Sequence, residues 1–202
     1  FEKIIENCKK MNIKYEDPDF YPQKDILKED EEILKETIWK RVEDQYQSNL
    51  FDNISPESIM QGSLGDCYFV VALIYASHST DFVKYLFHPK SSLQYGCVLI
   101  YFWFLGYRIP VIIDTQVPYR LHSSRPAFCH PRSNEDSCWF VLVEKAFAKA
   151  CGGYWSIVSG QSDFALHVLF DYYATSFSKI EEIDSPISIE KEEDNSKSLN
   201  QK

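Results

Sequence analysis

The feature that most constrains the fold is an unbroken apolar run that follows a glycine-containing loop. The loop, residues 61–66, reads Gln-Gly-Ser-Leu-Gly-Asp, and the run, residues 67–76, reads CYFVVALIYA. A run of this length exceeds two helical turns, so it predicts a buried helix rather than a strand. Cys67 then falls in the first turn, where unpaired backbone N–H groups favour negative charge. A thiol in that position is a better nucleophile, and the remaining sequence is judged by whether it serves this cysteine.

Composition limits the class of protein. The chain has 202 residues, of which 45% are hydrophobic and 15% aromatic, enough for one domain with a sizeable core or for part of a larger protein. Its net charge of −9 argues against a nucleic acid partner, because phosphate binding needs clustered Lys and Arg. No stretch reaches the ~18 apolar residues of a membrane span. The cysteines show no Cys-x-x-Cys pair and no secretion signal precedes them, which predicts a cytoplasmic protein with reduced thiols.

The chain divides into three parts by composition. In residues 1–22, apolar residues at helical spacing predict a short amphipathic helix, and two prolines then predict an extended arm. Residues 23–179 form the apolar core region. Residues 180–202 are acidic and contain no aromatic residue, so we expect a disordered tail, because such a segment buries too little apolar area to offset its ordering entropy. The chain starts with Phe1 rather than Met, and we expect a fragment of a longer protein.

Within the core region, helical and strand patterns alternate and predict an α+β fold that is mainly helical with a small β-hairpin. Residues 118–137 contain Pro, Ser, Arg and Asn and predict a loop. The other elements that the patterns predict are helices at 24–38, 80–87, 138–150 and 164–170, and hairpin strands at 96–104 and 108–114.

The sequence resembles the calpain family of papain-like cysteine proteases from about residue 17 to about residue 178. Residues 61–67, Gln-Gly-Ser-Leu-Gly-Asp-Cys, match the nucleophile motif of that family, and residues 139–149 match a second motif that precedes a Gly-Tyr pair. Shorter landmarks occur in the same order at 17–20, 39–41 and 110–114. The resemblance implies a papain-like fold and, specifically, the first lobe of the calpain protease core, which carries the nucleophile.

The resemblance also implies roles for individual residues. Cys67 attacks the scissile carbonyl, the Gln61 side-chain amide donates to the developing oxyanion, and Glu144 matches a residue that helps to hold calcium. Three residues before the position of Gln61, calpains usually have an Asp that binds calcium. This chain has Ser58 there, which puts calcium binding in question. From the residues themselves, we expect Asp66 to hydrogen-bond locally at the helix start and the glycines of the loop to allow close approach of a substrate.

The residues that should complete the catalytic site are missing from the expected place. A papain-type cysteine needs a histidine to take its proton and an Asn or Asp to orient that histidine, roughly 130–150 residues further along. The last histidine here is His167, in an apolar context that indicates a structural role. We therefore expect a second lobe or subunit to supply His and Asn. Two functions remain open: the nucleophile lobe of a calcium-dependent-type cysteine endopeptidase acting on proteins, or a catalytically inactive truncated calpain-like protein that serves as a binding or regulatory module.

Overall fold

The computed structural model describes residues 1–21, 37–46, 49–133 and 137–171. The described residues form a mixed helix and strand structure, which confirms the α+β prediction. Its elements in chain order are α1 (Glu2–Met11), β1 (Thr37–Arg41), β2 (Ile59–Met60), α2 (Cys67–Ala76), α3 (Thr80–Leu86), β3 (Cys97–Phe104), β4 (Tyr107–Asp114), β5 (Gln116–Arg120), β6 (His130–Pro131), α4 (Trp139–Cys151) and α5 (Ser162–Phe170).

The predicted hairpin is present as β3 and β4. The two strands are antiparallel, with Cys97 opposite Asp114 at one end and Phe104 opposite Tyr107 at the other. Leu105 and Gly106 form the turn, with φ angles of 52° and 77°. Positive φ at both central residues is the geometry whose twist matches the flanking strands, so this turn fixes the register of the hairpin.

The loop predicted for residues 118–137 is wrong in part, because two strands lie in it. β5 pairs antiparallel with β1, and β6 pairs antiparallel with β2. Pro118 lies opposite Trp39 in the first of these pairs and has no N–H to donate, but a two-stranded sheet has free edges that tolerate such a residue. The pairing partners come from distant parts of the chain, which local composition cannot reveal.

The core lies between α2, α4 and the hairpin. Phe69 of α2 stacks on Phe147 of α4 with ring centroids 4.0 Å apart, and Phe102 of β3 meets Phe147 edge-on at 6.0 Å. All three side chains are buried. Burying one such ring contributes about 1.5–3 kcal/mol, so this aromatic cluster holds the predicted apolar helix α2 firmly in place. Helix α4 ends at Gly152, whose φ of 94° gives the left-handed C-terminal geometry that the sequence predicts.

Buried ion pairs attach α4 to the hairpin and to the N-terminal arm. The ammonium group of Lys145 is fully buried, pairs with Asp114 and donates to the Gln116 carbonyl at 2.6 Å. One turn later, Lys149 donates to both carboxylate oxygens of Asp17, at 2.7 and 2.8 Å. Burial lowers the pKa of Lys145, while the Asp114 carboxylate opposes that shift. These contacts fix the orientation of α4 relative to the rest of the core.

Two predicted features lie outside the described residues: residues 24–36 of the helix predicted at 24–38, and the acidic tail at 180–202. The last two residues of that predicted helix, Thr37 and Ile38, belong to β1 instead, so the prediction is wrong there. Among the residues that are described, no helix has both the length and the apolar character needed to cross a bilayer.

Candidate active site

Cys67 lies at the first position of α2 and is exposed to solvent. The first intrahelical bond of this helix runs from the Phe69 N–H to the Asp66 carbonyl at 2.8 Å, so the Cys67 N–H precedes the bonded part of the helix. The other cysteines differ from Cys67 in being buried or half-buried: Cys8, Cys97, Cys129, Cys138 and Cys151. The fold therefore presents one thiol to solvent at a helix N-terminus.

Gln61 begins the loop that leads into this helix, and we call residues 61–66 the nucleophile loop. The Gln61 Nε2 atom donates to the Leu64 carbonyl at 3.0 Å, and the side chain is exposed. A primary amide has two N–H donors. One donor thus holds the loop in shape, and the amide has a second N–H for another acceptor.

The nucleophile loop is fastened to the segment that leads into β6. Ser63 donates to the Ala127 carbonyl twice, from its backbone N–H at 3.0 Å and from Oγ at 2.8 Å. A Cβ on Gly62 would lie only 2.0 Å from the Phe128 carbonyl oxygen. The glycine at position 62 is therefore required by backbone packing within the lobe, a different reason from the substrate approach that we expected from sequence.

Tyr68, which directly follows Cys67, is a packing residue in this structure. Its side chain is buried, and a Cβ on Gly160 would lie 2.4 Å from its ring. The neighbouring Ser159 N–H donates to the Gly65 carbonyl at 2.9 Å. Burial raises the pKa of Tyr68 to about 12, so its hydroxyl stays protonated at neutral pH. Tyr68 and Gly160 therefore pack against each other and support the nucleophile loop.

A buried acidic cluster lies beneath the start of α2. It consists of Asp66, Glu144 of α4 and Cys129, whose side-chain polar atoms lie within 4.8 Å of one another. The Cys129 N–H donates to both Glu144 oxygens, at 3.1 and 3.2 Å. The prediction that Asp66 hydrogen-bonds locally at the helix start is wrong, because its side chain makes no capping bond and faces Glu144 instead. Sequence reasoning missed this cluster, since its members are far apart in the chain.

Burial controls the protonation of this cluster. Desolvation raises the pKa of Asp66 to about 6, and desolvation together with the nearby Asp66 charge raises the pKa of Glu144 well above its usual value. Two ionised carboxylates would repel each other and would leave Asp66 without a donor among the described residues. A proton shared between the two carboxyl groups removes both problems, because it forms an O–H···O hydrogen bond.

The surroundings of Glu144 do not fit a calcium site. Calcium takes about 6–8 oxygen ligands, whereas the cluster offers two carboxyl groups and a thiol, which is too soft a ligand. The Glu144 oxygens already accept the Cys129 N–H. Ser58, where an Asp would be expected, is buried and its Oγ donates to the Ser55 carbonyl at 2.7 Å. No chemical step is therefore assigned to calcium.

Contacts fix the positions of three histidines in the described part of the chain. His78 packs edge-on against Tyr75, near the end of α2, with ring centroids 6.5 Å apart. His88 packs edge-on against Phe1 with ring centroids 4.9 Å apart, and His130 lies opposite Met60 in the β2–β6 pair. His167 lies on α5, as its apolar context in the sequence indicates. The described part of the chain thus places an exposed thiol at the start of α2 and a side-chain amide on the loop that precedes it.

Comparison with known proteins agrees with this architecture. The model of the calpain family cysteine proteases matches residues 15–199. Calpain-5 of Caenorhabditis elegans is 27% identical over 175 residues, which cover 82% of this chain and 26% of that protein. Calpain-5 of Mus musculus is 29% identical over a match that covers 79% of this chain and 26% of that protein. Calpain-13 of Rattus norvegicus is 32% identical over a match that covers 60% of this chain and 19% of that protein. The chain spans about a quarter or less of the length of these relatives. By the match of the family model over most of its length, the chain belongs to the calpain family of cysteine proteases.

Proposed function

We propose that this chain is the nucleophile lobe of a cysteine endopeptidase, in which the Cys67 thiolate attacks a peptide carbonyl of a protein substrate. The observation that carries the proposal is the exposure of Cys67 at the first position of a buried helix, next to a loop that holds a side-chain amide. Attack forms a tetrahedral intermediate, whose collapse expels the amine and leaves an acyl-enzyme for water to hydrolyse.

The oxyanion of the intermediate needs hydrogen-bond donors. The second N–H of the Gln61 amide and the backbone N–H of Cys67 supply them in this proposal. Removing one donor of this kind typically costs about 2.7–4 kcal/mol of transition-state stabilisation. The bond from Gln61 to the Leu64 carbonyl keeps the amide in one orientation before the substrate arrives, so little reorganisation is needed during the reaction.

A second lobe or subunit supplies the histidine and asparagine in this proposal. An apolar face suited to such a partner begins on the nucleophile helix itself, where Val71 and Tyr75 follow Cys67 at helical spacing and are exposed. Together with Leu166 and Phe170 of α5 they line a cavity of about 510 Å³. A partner that covers this face would lie beside Cys67, which is the position that a general base requires.

The proposal carries two further expectations. The first is calcium dependence, to which we assign no residue, because the surroundings of Glu144 do not fit a calcium site. The labelling experiment below is therefore run with and without calcium. We also place the protein in the cytoplasm. All six cysteines are among the described residues and none forms a disulfide, which is the usual state of thiols in a reducing compartment.

The experiment that tests the nucleophile assignment is labelling with a peptidyl epoxide, with and without calcium, followed by intact mass measurement and peptide mapping. Burial raises the pKa of Cys97 to about 12 and that of Cys151 to about 11, so these thiols should react slowly at pH 7.5. We expect about one label per chain, at Cys67, and none in a Cys67→Ser variant. Slow and equal labelling of all the cysteines would refute the assignment.

The second candidate function, a binding or regulatory module, is favoured by the contacts of His88 and His130, which place these histidines against Phe1 and opposite Met60 rather than against Cys67. A thiolate without its imidazole partner loses most of its catalytic power. Peptide hydrolysis separates the two functions. Stoichiometric labelling of Cys67 without turnover supports a binding module for the isolated chain, whereas turnover that disappears in Cys67→Ser supports the endopeptidase.

A further inference from the structure

A second cavity, of about 300 Å³, opens beside the nucleophile loop and is lined by basic residues. The residues that matter for its chemistry are Gly62, Ser63, Arg120, Ser123, Arg125 and His130. Two arginines and a histidine thus share one small cavity in a chain whose net charge is −9. No carboxylate is among the described residues that line it.

The two arginines are held at either end of one tight turn. Arg120 is the last residue of β5, opposite Thr37 of β1. Ser123 fixes the turn, because its Oγ donates to the Arg125 carbonyl at 3.1 Å and accepts the Arg125 N–H at 3.0 Å. The chain then returns alongside β5, with the Ala127 N–H donating to the Pro118 carbonyl at 2.8 Å. The backbone of this basic turn is therefore set by the fold rather than by a ligand.

The positive charge of the cavity is not balanced within the described structure. Both arginine side chains are exposed, and among the described residues neither guanidinium donates to a protein acceptor or pairs with an acid. A guanidinium presents a planar fork of donors that matches a carboxylate or a phosphate. Two such groups beside a serine hydroxyl therefore form a surface that selects anions.

One wall of the cavity belongs to the nucleophile loop. Gly62 and Ser63 line the cavity and directly follow Gln61, the proposed oxyanion donor. Residues of the 125–130 segment line it as well, and the nucleophile loop is bonded to this segment through Ser63 and Ala127. An extended polypeptide advances about 3.3 Å per residue, so a substrate bound at Cys67 needs only a few residues to span the length of this loop.

We propose that this basic cavity is a substrate subsite that binds an anionic side chain, a carboxylate or a phosphate, close in sequence to the bond that Cys67 attacks. The inference rests on the proposed function and adds a preference for acidic or phosphorylated segments of protein substrates. Arg120 and Arg125 act in it as specificity-determining residues and take no part in bond breaking.

The test measures binding of fluorescein-labelled octapeptides to the full chain by fluorescence anisotropy. The peptides share one neutral sequence and carry Ala, Glu or phosphoserine at each position in turn. The wild type is compared with the double variant Arg120→Gln/Arg125→Gln and with the charge-matched control Lys9→Gln/Lys84→Gln, whose lysines are exposed and lie on α1 and α3, outside the cavity. A second readout is the rate at which iodoacetamide labels Cys67 in the presence of each peptide.

We expect anionic peptides to bind about 10-fold more tightly than the Ala peptide at one position, with a preference that weakens as salt rises. The arginine double variant should lose this preference and the lysine control should keep it. The bound peptide should also slow labelling of Cys67 several-fold. A stronger effect of phosphoserine than of Glu would identify phosphate as the preferred group, and the reverse would identify carboxylate.

Equal affinity for all three peptides in the wild type would overturn the proposal, and so would an equal loss of preference in the two double variants. The comparison of the three peptides on the wild-type chain gives a result even if the arginine double variant does not fold. If Cys67 resists labelling while anionic peptides still bind, the nucleophile assignment fails and the anion site stands. If Cys67 reacts normally and no anionic preference is seen, only the subsite is refuted.

Discussion

Replacing Glu144 by Gln tests the shared proton beneath the nucleophile helix. The Gln oxygen can accept the Cys129 N–H as Glu144 does, and the Gln N–H can donate to the Asp66 carboxylate. The variant therefore imitates the protonated form of the acid pair at every pH. Because the wild-type pair must keep a proton to satisfy Asp66, the two proteins should differ most where solvent favours ionised carboxylates.

The direction of the difference follows from Glu144. Burial and the nearby Asp66 charge raise the pKa of Glu144 well above its usual value. Above that usual value the folded wild type holds a proton that its unfolded chain has lost, so the stability of the wild type is greatest at low pH and falls as the pH rises. The Gln side chain does not titrate, so this loss is absent from the variant. We expect Glu144→Gln to be about 1–3 kcal/mol more stable than the wild type at pH 7.5, with the advantage disappearing near pH 4.

Urea unfolding followed by tryptophan fluorescence between pH 4 and pH 8 measures this effect. Glu6→Gln, on an exposed part of α1, is the matched control and should follow the wild type at every pH. The reasoning is refuted if Glu144→Gln shows the same pH slope as the wild type. It is also refuted if the variant is less stable than the wild type at pH 7.5, since that would mean that the ionised Glu144 side chain is needed there.

Three further substitutions have expected outcomes. Gly62→Ala should lower the free energy of unfolding by about 1–3 kcal/mol, measured by urea unfolding, because the added methyl group would overlap the Phe128 carbonyl. The same change should slow the labelling of Cys67, and unchanged labelling would contradict the packing argument. Lys145→Met should cost about 3–5 kcal/mol in the same assay, because it leaves Asp114 buried without its cation, and a loss below 1 kcal/mol would count against that. Gly152→Ala, at a φ of 94°, should lower the thermal midpoint by an amount equivalent to about 1 kcal/mol, and no change would mean that the end of α4 can adjust.

Local patterns in the sequence were sufficient for the helices α1 to α5 and for the hairpin. The apolar run after residue 66 could form only a buried helix, and Gly152 marks the end of α4 because few other residues adopt its backbone conformation. Strand β5 was not predicted, since Pro118 and the polar residues around it are typical of a loop and its partner β1 lies far back in the chain. Pairing over such a distance leaves no local periodicity to detect.

The candidate site shows the same difference between features that are local in the sequence and features that depend on distant residues. The placement of Cys67 at a helix start and of Gln61 on the loop before it could be predicted because the two residues stand six positions apart in one motif. The acid pair of Asp66 and Glu144 could not, since a lone Glu on a helix is usually solvated and nothing near either residue indicates the other. Burial of both was decided by the packing of α2 against α4, which only the tertiary structure shows.

The bonds between Ser63 and Ala127 have a consequence for the order in which the chain folds. They join residues separated by 64 positions, with the whole hairpin and β5 between them. Closing so long a segment costs entropy that must be recovered before the contact is stable, so such contacts form late in folding. The geometry around Cys67 is therefore completed only after the rest of the lobe has assembled. Partly folded chains would carry Cys67 beside a loop that is not yet fixed, and the native position of the loop would appear together with the native state.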